Sequence, residues 1–195
     1  MFLNLVGYLR QKLGRFNMFD REYTFSGAHA EMVRALTSNP FKEEGNQKGL
    51  FQRNIDVYMI SPIVGLLYNR KSRPDSSSNL TSKIFTDAFL QRTDELNFIY
   101  TTIILNDREI AENDKRIENA FKNKYEKTNK NFEILFDSYL LGGLEFLYEK
   151  LIKNTQSFDE VLSNFNLFIE DFNATFSKST QNKQSIYDQE ELEII

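Results

Sequence analysis

The sequence predicts an all-α protein: a single-domain, irregular bundle of about six or seven helices that ends in a disordered, acidic C-terminal tail. Apolar residues recur at three- and four-residue spacing through most of the 195 residues, which is typical of helices with one buried face. The chain also carries 18 Phe and 9 Tyr, enough large side chains to fill the core of a domain of this length. We assign residues 1–176 to the helical domain and 177–195 to the flexible tail.

The N-terminal part begins with a predicted helix over 2–16, whose apolar stripe and position indicate a separate docking helix. Residues 17–24 form a connector or a short strand, with a local hairpin as the alternative. Ser26 is a suitable N-cap for the next helix, because its hydroxyl can accept a free amide of the first turn, and Asn39-Pro40 ends that helix.

The most apolar segment, residues 51–71, is predicted to be a buried helix. Pro62 requires either a kink or a division into two helices with Ser61 capping the second, because proline lacks an amide hydrogen and crowds the preceding turn. Gly65 has no side chain and would allow another helix to cross closely. A polar, serine-rich loop is expected at 72–81.

Three further helices are predicted in the second half of the chain. The first is a long helix over 82–106. The second, over 109–126, is polar, and its only inward-facing residues are Ile110, Ile117, Ala120 and Phe121. The third, over 130–153, is strongly amphipathic.

The final helix begins with a capping box from Ser157 to Glu160, in which the serine hydroxyl accepts the Glu160 amide and the glutamate accepts the Ser157 amide. Its apolar stripe is rich in phenylalanine, and we expect this face and the first helix to bind a protein partner. The predicted partner-binding residues are Phe2, Leu5, Leu9, Phe165, Phe168 and Phe172.

The inventory of reactive side chains argues against catalysis. The chain has one histidine, no cysteine and no tryptophan, whereas most enzymes need a nucleophile, a base or a set of metal ligands. We therefore expect a protein that is not an enzyme and has no cofactor and no metal site. The lack of cysteine and of a signal-peptide pattern suits a cytoplasmic protein, and no apolar run reaches the roughly 20 residues of a membrane-spanning helix.

Two groups of residues have an alternative, catalytic interpretation. Ser26 and His29 are three residues apart on one helical face, as a nucleophile and its base would be, but a helix cap explains Ser26 more simply. Carboxylates also recur four residues apart on the helix 130–153 and could bind a divalent cation, although a solvated helix face is the favoured interpretation. These carboxylates are Glu133 with Asp137 and Glu145 with Glu149.

Basic residues follow the apolar helix. Arg70, Lys71 and Arg73 can satisfy the carbonyl groups at a helix C-terminus, or they can contact nucleic acid or an acidic partner from a mobile loop. A second basic stretch includes Lys122 and Lys124, although acidic neighbours dilute its charge.

Residues 51–71 resemble a motif of small bacterial proteins associated with DNA-phosphorothioation (Dnd) defence systems, and are similar to accessory subunits of three-component, SMC-like ATPase defence complexes. The matching positions are Asp56, Gly65, Arg70 and Lys71. The resemblance implies a non-catalytic assembly subunit that bridges an ATPase or nuclease partner and DNA. A stand-alone DNA-binding regulator and an acidic-metal hydrolase built on the paired carboxylates are the alternatives.

Overall fold

The computed structural model describes residues 18–41, 48–122 and 130–192, without the side chains of residues 122 and 176–192. Within these residues it contains seven α-helices and one two-stranded sheet, which confirms the all-α class. The chain divides into two units, Met1–Glu149 and Lys150–Ile195, which are described separately.

The elements of the first unit follow a short 3-10 turn, Met18–Asp20. The strands are β1, Tyr23–Ser26, and β2, Thr81–Ile84. The helices are α1, Gly27–Thr37; α2, Asn54–Leu67; α3, Thr86–Leu90; α4, Thr93–Asn106; α5, Asn113–Lys122; and α6, Lys130–Leu151, which ends just inside the second unit. The second unit contains α7, Phe158–Leu192.

The sheet joins distant parts of the first unit. β1 and β2 are antiparallel, with Tyr23 opposite Ile84 and Ser26 opposite Thr81. A short strand near residue 24 is therefore present, but the hairpin considered for this region is wrong. The partner strand is brought in by the packing of β2 on α1 and α2, which no local turn signal encodes.

Side chains cover one edge of β2. The carbonyl of Thr81 accepts a hydrogen bond from the Arg34 guanidinium at 2.7 Å, and the carbonyl of Lys83 accepts one from the Asn54 amide at 3.0 Å. Alternate carbonyl groups of a strand point to opposite sides, so these two lie on the edge away from β1.

The single helix predicted over 82–106 is wrong, because this stretch contains β2, α3 and α4. Ser82 and Ile84 are buried while their neighbours are exposed, so the first residues follow the two-residue period of a strand. A second interruption separates Leu90, the end of α3, from Thr93, the start of α4.

Helix α2 continues without a break through Pro62, so the two-helix alternative is wrong. Its second half crosses α6 with backbone against backbone. A β-carbon on Gly65 would meet the carbonyl of Tyr139, and one on Gly143 would meet the carbonyl of Ser61. The close helix crossing predicted at Gly65 is therefore confirmed.

Aromatic rings fill the core of the first unit. Tyr58 of α2 packs edge-on against Phe89 of α3, with ring centroids 5.0 Å apart, and Phe19 packs edge-on against Phe136 of α6 at 5.8 Å. Tyr100 of α4 is edge-on to Phe19 as well. Such pairs add roughly 0.5–1.5 kcal/mol each to the stabilisation from burial, so these rings tie four elements together.

Helix α5 packs on α4 through a small residue. The Thr101 hydroxyl donates to the carbonyl of Ala120 at 3.0 Å, and Ala120 is buried. Ile117 and Phe121, predicted to face inward, are instead 44% and 61% exposed. The predicted inward face is therefore right for Ala120 and wrong for Ile117 and Phe121, because the contact uses the alanine and leaves the larger side chains on the outer face.

The second unit confirms half of the predicted capping box. The Ser157 hydroxyl accepts the Glu160 amide at 3.3 Å, but the Glu160 carboxylate accepts the amide of Gln156, one residue earlier than predicted. The bounds of α7 include most of the segment 177–195, whose flexibility stays a prediction. No helix in the described part of the chain combines the length and apolar content needed to cross a bilayer.

Candidate functional site

The predicted basic cluster lies on an extended segment, residues 68–75, which we call the strap. It leaves α2 through Asn69, a non-glycine residue with a φ of 50°, and the Arg70 amide donates to the carbonyl of Gly65 at 2.7 Å. The Ser72 amide then donates to the carbonyl of Ser138 at 2.9 Å, which fixes the strap along α6. The strap can approach because the Arg70 carbonyl occupies the space where Gly142 would carry a β-carbon.

Lys71 forms an ion pair with a buried carboxylate. Its ammonium group lies 2.6 Å from Oδ2 of Asp107, whose side chain is only 2% exposed, and the Tyr139 hydroxyl donates to the same oxygen at 2.9 Å. The ammonium also lies 4.8 Å from the centre of the Tyr139 ring. The amides of Glu109 and Ile110 bind the other carboxylate oxygen, so Asp107 is bonded on both sides.

The pKa values in this cluster show that both partners are charged. Burial opposes ionisation of Asp107, but its hydrogen bonds from Lys71 and Tyr139 outweigh burial and lower the pKa of the carboxyl. Burial likewise opposes the charge on Lys71, and the bonds to Asp107 and Tyr139 outweigh it and raise the pKa of the amine. The charge of Lys71 is therefore neutralised within the molecule.

A second polar group joins the strap to α1 and α6. Oε1 of Glu145 lies 2.8 Å from Nε2 of His29 and accepts the Ser72 hydroxyl at 2.5 Å. His29 is buried, and its Nδ1 has no hydrogen-bond partner among the described residues. The Glu145 carboxylate lies between the Ser72 hydroxyl and the His29 ring. His29 therefore does not contact this hydroxyl as a general base would.

Asp75, at the end of the strap, caps helix α1. Its Oδ2 accepts the Ala28 amide at 2.6 Å, while the Ser26 hydroxyl donates to the Asp75 carbonyl at 2.6 Å. Hydrogen bonds from the Ala28 amide, the Ser77 hydroxyl and the Ser77 amide lower the pKa of Asp75 to about 2. The position predicted for the cap is therefore right, but the capping side chain comes from the strap and not from Ser26.

The two arginines of the cluster differ. Arg70 pairs with Glu149 at 3.3 Å, and its guanidinium lies 5.6 Å from the centre of the Phe146 ring. Arg73 is exposed and forms no ion pair with any residue that the structure describes. Carboxylates of the fold therefore bind two of the three cations, Arg70 and Lys71, and the contact of Arg70, Lys71 and Arg73 with nucleic acid or an acidic partner stays a prediction.

The remaining predicted site residues are distributed widely. Asp56 accepts the amide of Arg53 at 3.0 Å as part of the cap of α2, and Gly65 serves the helix crossing. The aromatic residues predicted to bind a partner are partly buried on α7: Phe165, Phe168 and Phe172. Predictions that fall outside the described residues or side chains concern Phe2, Leu5, Leu9, Lys122 and Lys124.

The paired carboxylates of α6 do not form a solvated face. Glu133, Asp137 and Glu145 are partly buried, and Glu149 alone of the four is exposed. The solvated-face interpretation is wrong for Glu133 and Glu145, because Arg21 covers the first and the strap covers the second. Within the ranges that the structure describes, no group of three acidic, histidine or cysteine side chains is arranged to hold a metal ion.

The roles of three important residues were not found from the sequence. Asp107 has a weak signal, because it follows the last turn of a predicted helix, where a carboxylate is unfavourable unless it is bound elsewhere. Glu145 and Tyr139 have none, since both fit the pattern of an ordinary amphipathic helix.

Comparison with protein-family models, curated proteins and solved structures finds no match to this chain.

Proposed function

We propose that the chain is a non-catalytic, helical assembly subunit that binds a protein partner. The observation that carries this proposal is the exposure of three large apolar side chains on the helix pair α4–α5. Phe98 is 73% exposed, and Ile117 and Phe121 are exposed beside it. We call these three residues the α4–α5 face.

The register of the two helices places these residues together. Thr101 bonds to Ala120, and the Arg116 guanidinium donates to the carbonyl of Leu105 at 2.9 Å, so the helices run antiparallel. Phe98 is one turn before Thr101, and Phe121 follows Ala120, so both exposed rings lie at the same end of the pair.

The surroundings of the α4–α5 face have the composition of a protein-binding surface. Exposed charges of both signs, including Asp114 and Lys115, lie on the same helix as the apolar side chains. An apolar centre with a mixed polar rim is typical of protein interfaces, where aromatic side chains are enriched. The chemistry fits a protein partner with an apolar groove better than it fits a phosphate backbone.

The resemblance of residues 51–71 supports a narrower form of the proposal, in which the partner is an ATPase or nuclease subunit of a bacterial anti-phage defence complex. Pairing of Arg70 with Glu149 and of Lys71 with Asp107 makes direct DNA contact the less favoured role, since a phosphate group would have to compete with these carboxylates. A metal-dependent hydrolase is not proposed, because three of the four α6 carboxylates, Glu133, Glu145 and Glu149, bind side chains of the fold.

Co-purification tests the proposal. The tagged chain is expressed with its flanking genes, and complexes are sized by light scattering. We expect a stable hetero-complex with the wild-type chain and its loss in the Phe98→Asp/Phe121→Asp variant. The matched control is Phe85→Asp, which changes an equally exposed phenylalanine at the start of α3, away from the helix pair.

Two outcomes would contradict the proposal. Recovery of the wild-type chain without any other protein would show that it binds no partner encoded by the flanking genes. If the double variant retains the complex with the same yield as the control, the α4–α5 face is not part of the interface. Salt-titrated DNA binding that is lost on replacement of Arg73 would favour the regulator instead.

A further inference from the structure

Asp137 is a half-buried aspartate that the strap does not use. It lies on α6, and its Oδ1 is buried without a hydrogen-bond partner among the residues in 18–41, 48–122 and 130–192. A buried carboxylate oxygen without a donor is costly when it is ionised, because burial removes the water that would otherwise solvate it. The position is therefore unfavourable for a charged aspartate.

The groups around Asp137 do not compensate its charge. Glu133 lies one helical turn earlier on α6, and Arg21, the cation that faces both carboxylates, bonds to Glu133 at 2.9 Å. Tyr23 of β1 and Tyr58 of α2 lie within electrostatic range of Asp137. Tyr100 of α4 lies within electrostatic range of Glu133.

The pKa values of these groups agree with the geometry. Burial, with a smaller contribution from Glu133 that Arg21 opposes, raises the pKa of Asp137 to about 7. Burial, followed by the proximity of Asp137, raises the pKa of Tyr23 and of Tyr58 well above the usual range. The tyrosines therefore remain neutral at any pH at which Asp137 changes its charge.

We propose that Asp137 is a proton-operated latch: with a neutral carboxyl group, α6 packs closely against β1 and α2, and ionisation of the group loosens that contact. A neutral carboxyl suits its aromatic surroundings, and it carries a proton that can be donated. An ionised one leaves Oδ1 charged and without a hydrogen bond, within electrostatic range of Tyr23 and Tyr58. The latch is independent of the proposed assembly function, because none of its groups belongs to the α4–α5 face.

The direction of the pH dependence follows from proton counting. Between the usual aspartate pKa of 3.8 and the raised value of about 7, the folded chain holds one proton more than the unfolded chain. The stability that Asp137 contributes is therefore fully present below about pH 4 and is lost as the pH rises to about 7. The ratio of folded to unfolded chains decreases about tenfold per pH unit in that window and is constant above it.

The first experiment compares urea unfolding of the full chain between pH 4.5 and 8 in the wild type, in Asp137→Asn and in the control Asp171→Asn, which changes an exposed aspartate of α7. We expect the wild type and the control to share a steep pH dependence that Asp137→Asn lacks. Parallel pH profiles for the wild type and Asp137→Asn would overturn the latch.

The second experiment uses only the wild type, so it tests the proposed latch even if Asp137→Asn does not fold. The carboxyl carbon shift of Asp137 is followed by NMR, and near-ultraviolet circular dichroism reports the tyrosine environment, since the chain has no tryptophan. We expect both to change with one midpoint near pH 7. A carboxyl midpoint below pH 5, or a titration without any change in the tyrosine signal, would contradict the proposal.

Discussion

The carbonyl oxygen of Ser61 occupies the position that a β-carbon on Gly143 would need. The contact is between the backbones of α2 and α6, so no change of side-chain rotamer can relieve a clash there. The amide nitrogen of Gly65 lies close to the same point, at 2.7 Å from the β-carbon position. The crossing is therefore a place where even one added methyl group forces the two helices apart.

Gly143→Ala is expected to destabilise the fold by about 3 kcal/mol, near the upper end of overpacking effects, although alanine is the better helix former. Chemical unfolding at pH 7 measures the change. Asn166→Ala, at an exposed position of α7, is the control for helix propensity and should be neutral or slightly stabilising. A Gly143→Ala protein as stable as the wild type would show that the helices separate without cost.

Two buried tyrosines are expected to respond in opposite ways to loss of their hydroxyl groups. Tyr139→Phe removes a hydrogen bond to the ionised Asp107 and should cost roughly 1.5–3 kcal/mol. Tyr100→Phe removes a buried hydroxyl that has no partner among the described residues, so it should be neutral or stabilise by up to about 1 kcal/mol. The two variants are each other's control in the same unfolding experiment, and equal losses would contradict the prediction.

Replacement of Lys71 by Met is expected to destabilise the fold by about 2 kcal/mol, because it leaves the carboxylate of Asp107 buried without its cation. The loss should be smaller than for a fully buried pair, since about a third of the Lys71 side chain, 34%, is exposed. The double variant Lys71→Met/Asp107→Asn should recover part of it. A double-mutant cycle measures the coupling, and additive losses would show that the pair is not coupled.

Asp75→Ala should lower the unfolding midpoint at pH 7, because it removes the acceptor of the Ala28 amide at the start of α1. The pKa of Asp75 is depressed to about 2, so its contribution is fully present above about pH 4 and disappears as the pH falls through 2. Thermal unfolding of the wild type and the variant should therefore converge in acid. Asp75→Asn, which keeps an acceptor oxygen, is the intermediate case, and a pH-independent difference would exclude a charge-dependent cap.

Parts of the fold could be predicted because they depend on local pattern. The buried helix around Gly65 follows from a run of apolar residues, and the α7 start follows from Ser157. β2 could not be predicted, because its four residues continue into an apolar pattern typical of a helix. Only the pairing of these residues with Tyr23–Ser26, which is distant in the chain, favours a strand over a helix.

The site was predictable in part for the same reason. Basic residues on the strap are visible in the sequence, but their partners are not. Lys71 binds Asp107 across 36 positions, and His29 meets Glu145 across 116. A glutamate or an aspartate on an amphipathic helix is indistinguishable from a solvated one until tertiary packing covers it, as happens at Asp137.

The covered edge of β2 has a consequence for the behaviour of the chain at high concentration. A strand with free carbonyl groups is a template for intermolecular pairing, which leads to aggregation or domain swapping. Arg34 and Asn54 already bind the carbonyl groups that a foreign strand would need. Colloidal solubility of this chain should therefore depend on two polar side chains that have no part in its core, and Arg34→Ala/Asn54→Ala should make it prone to form fibrils.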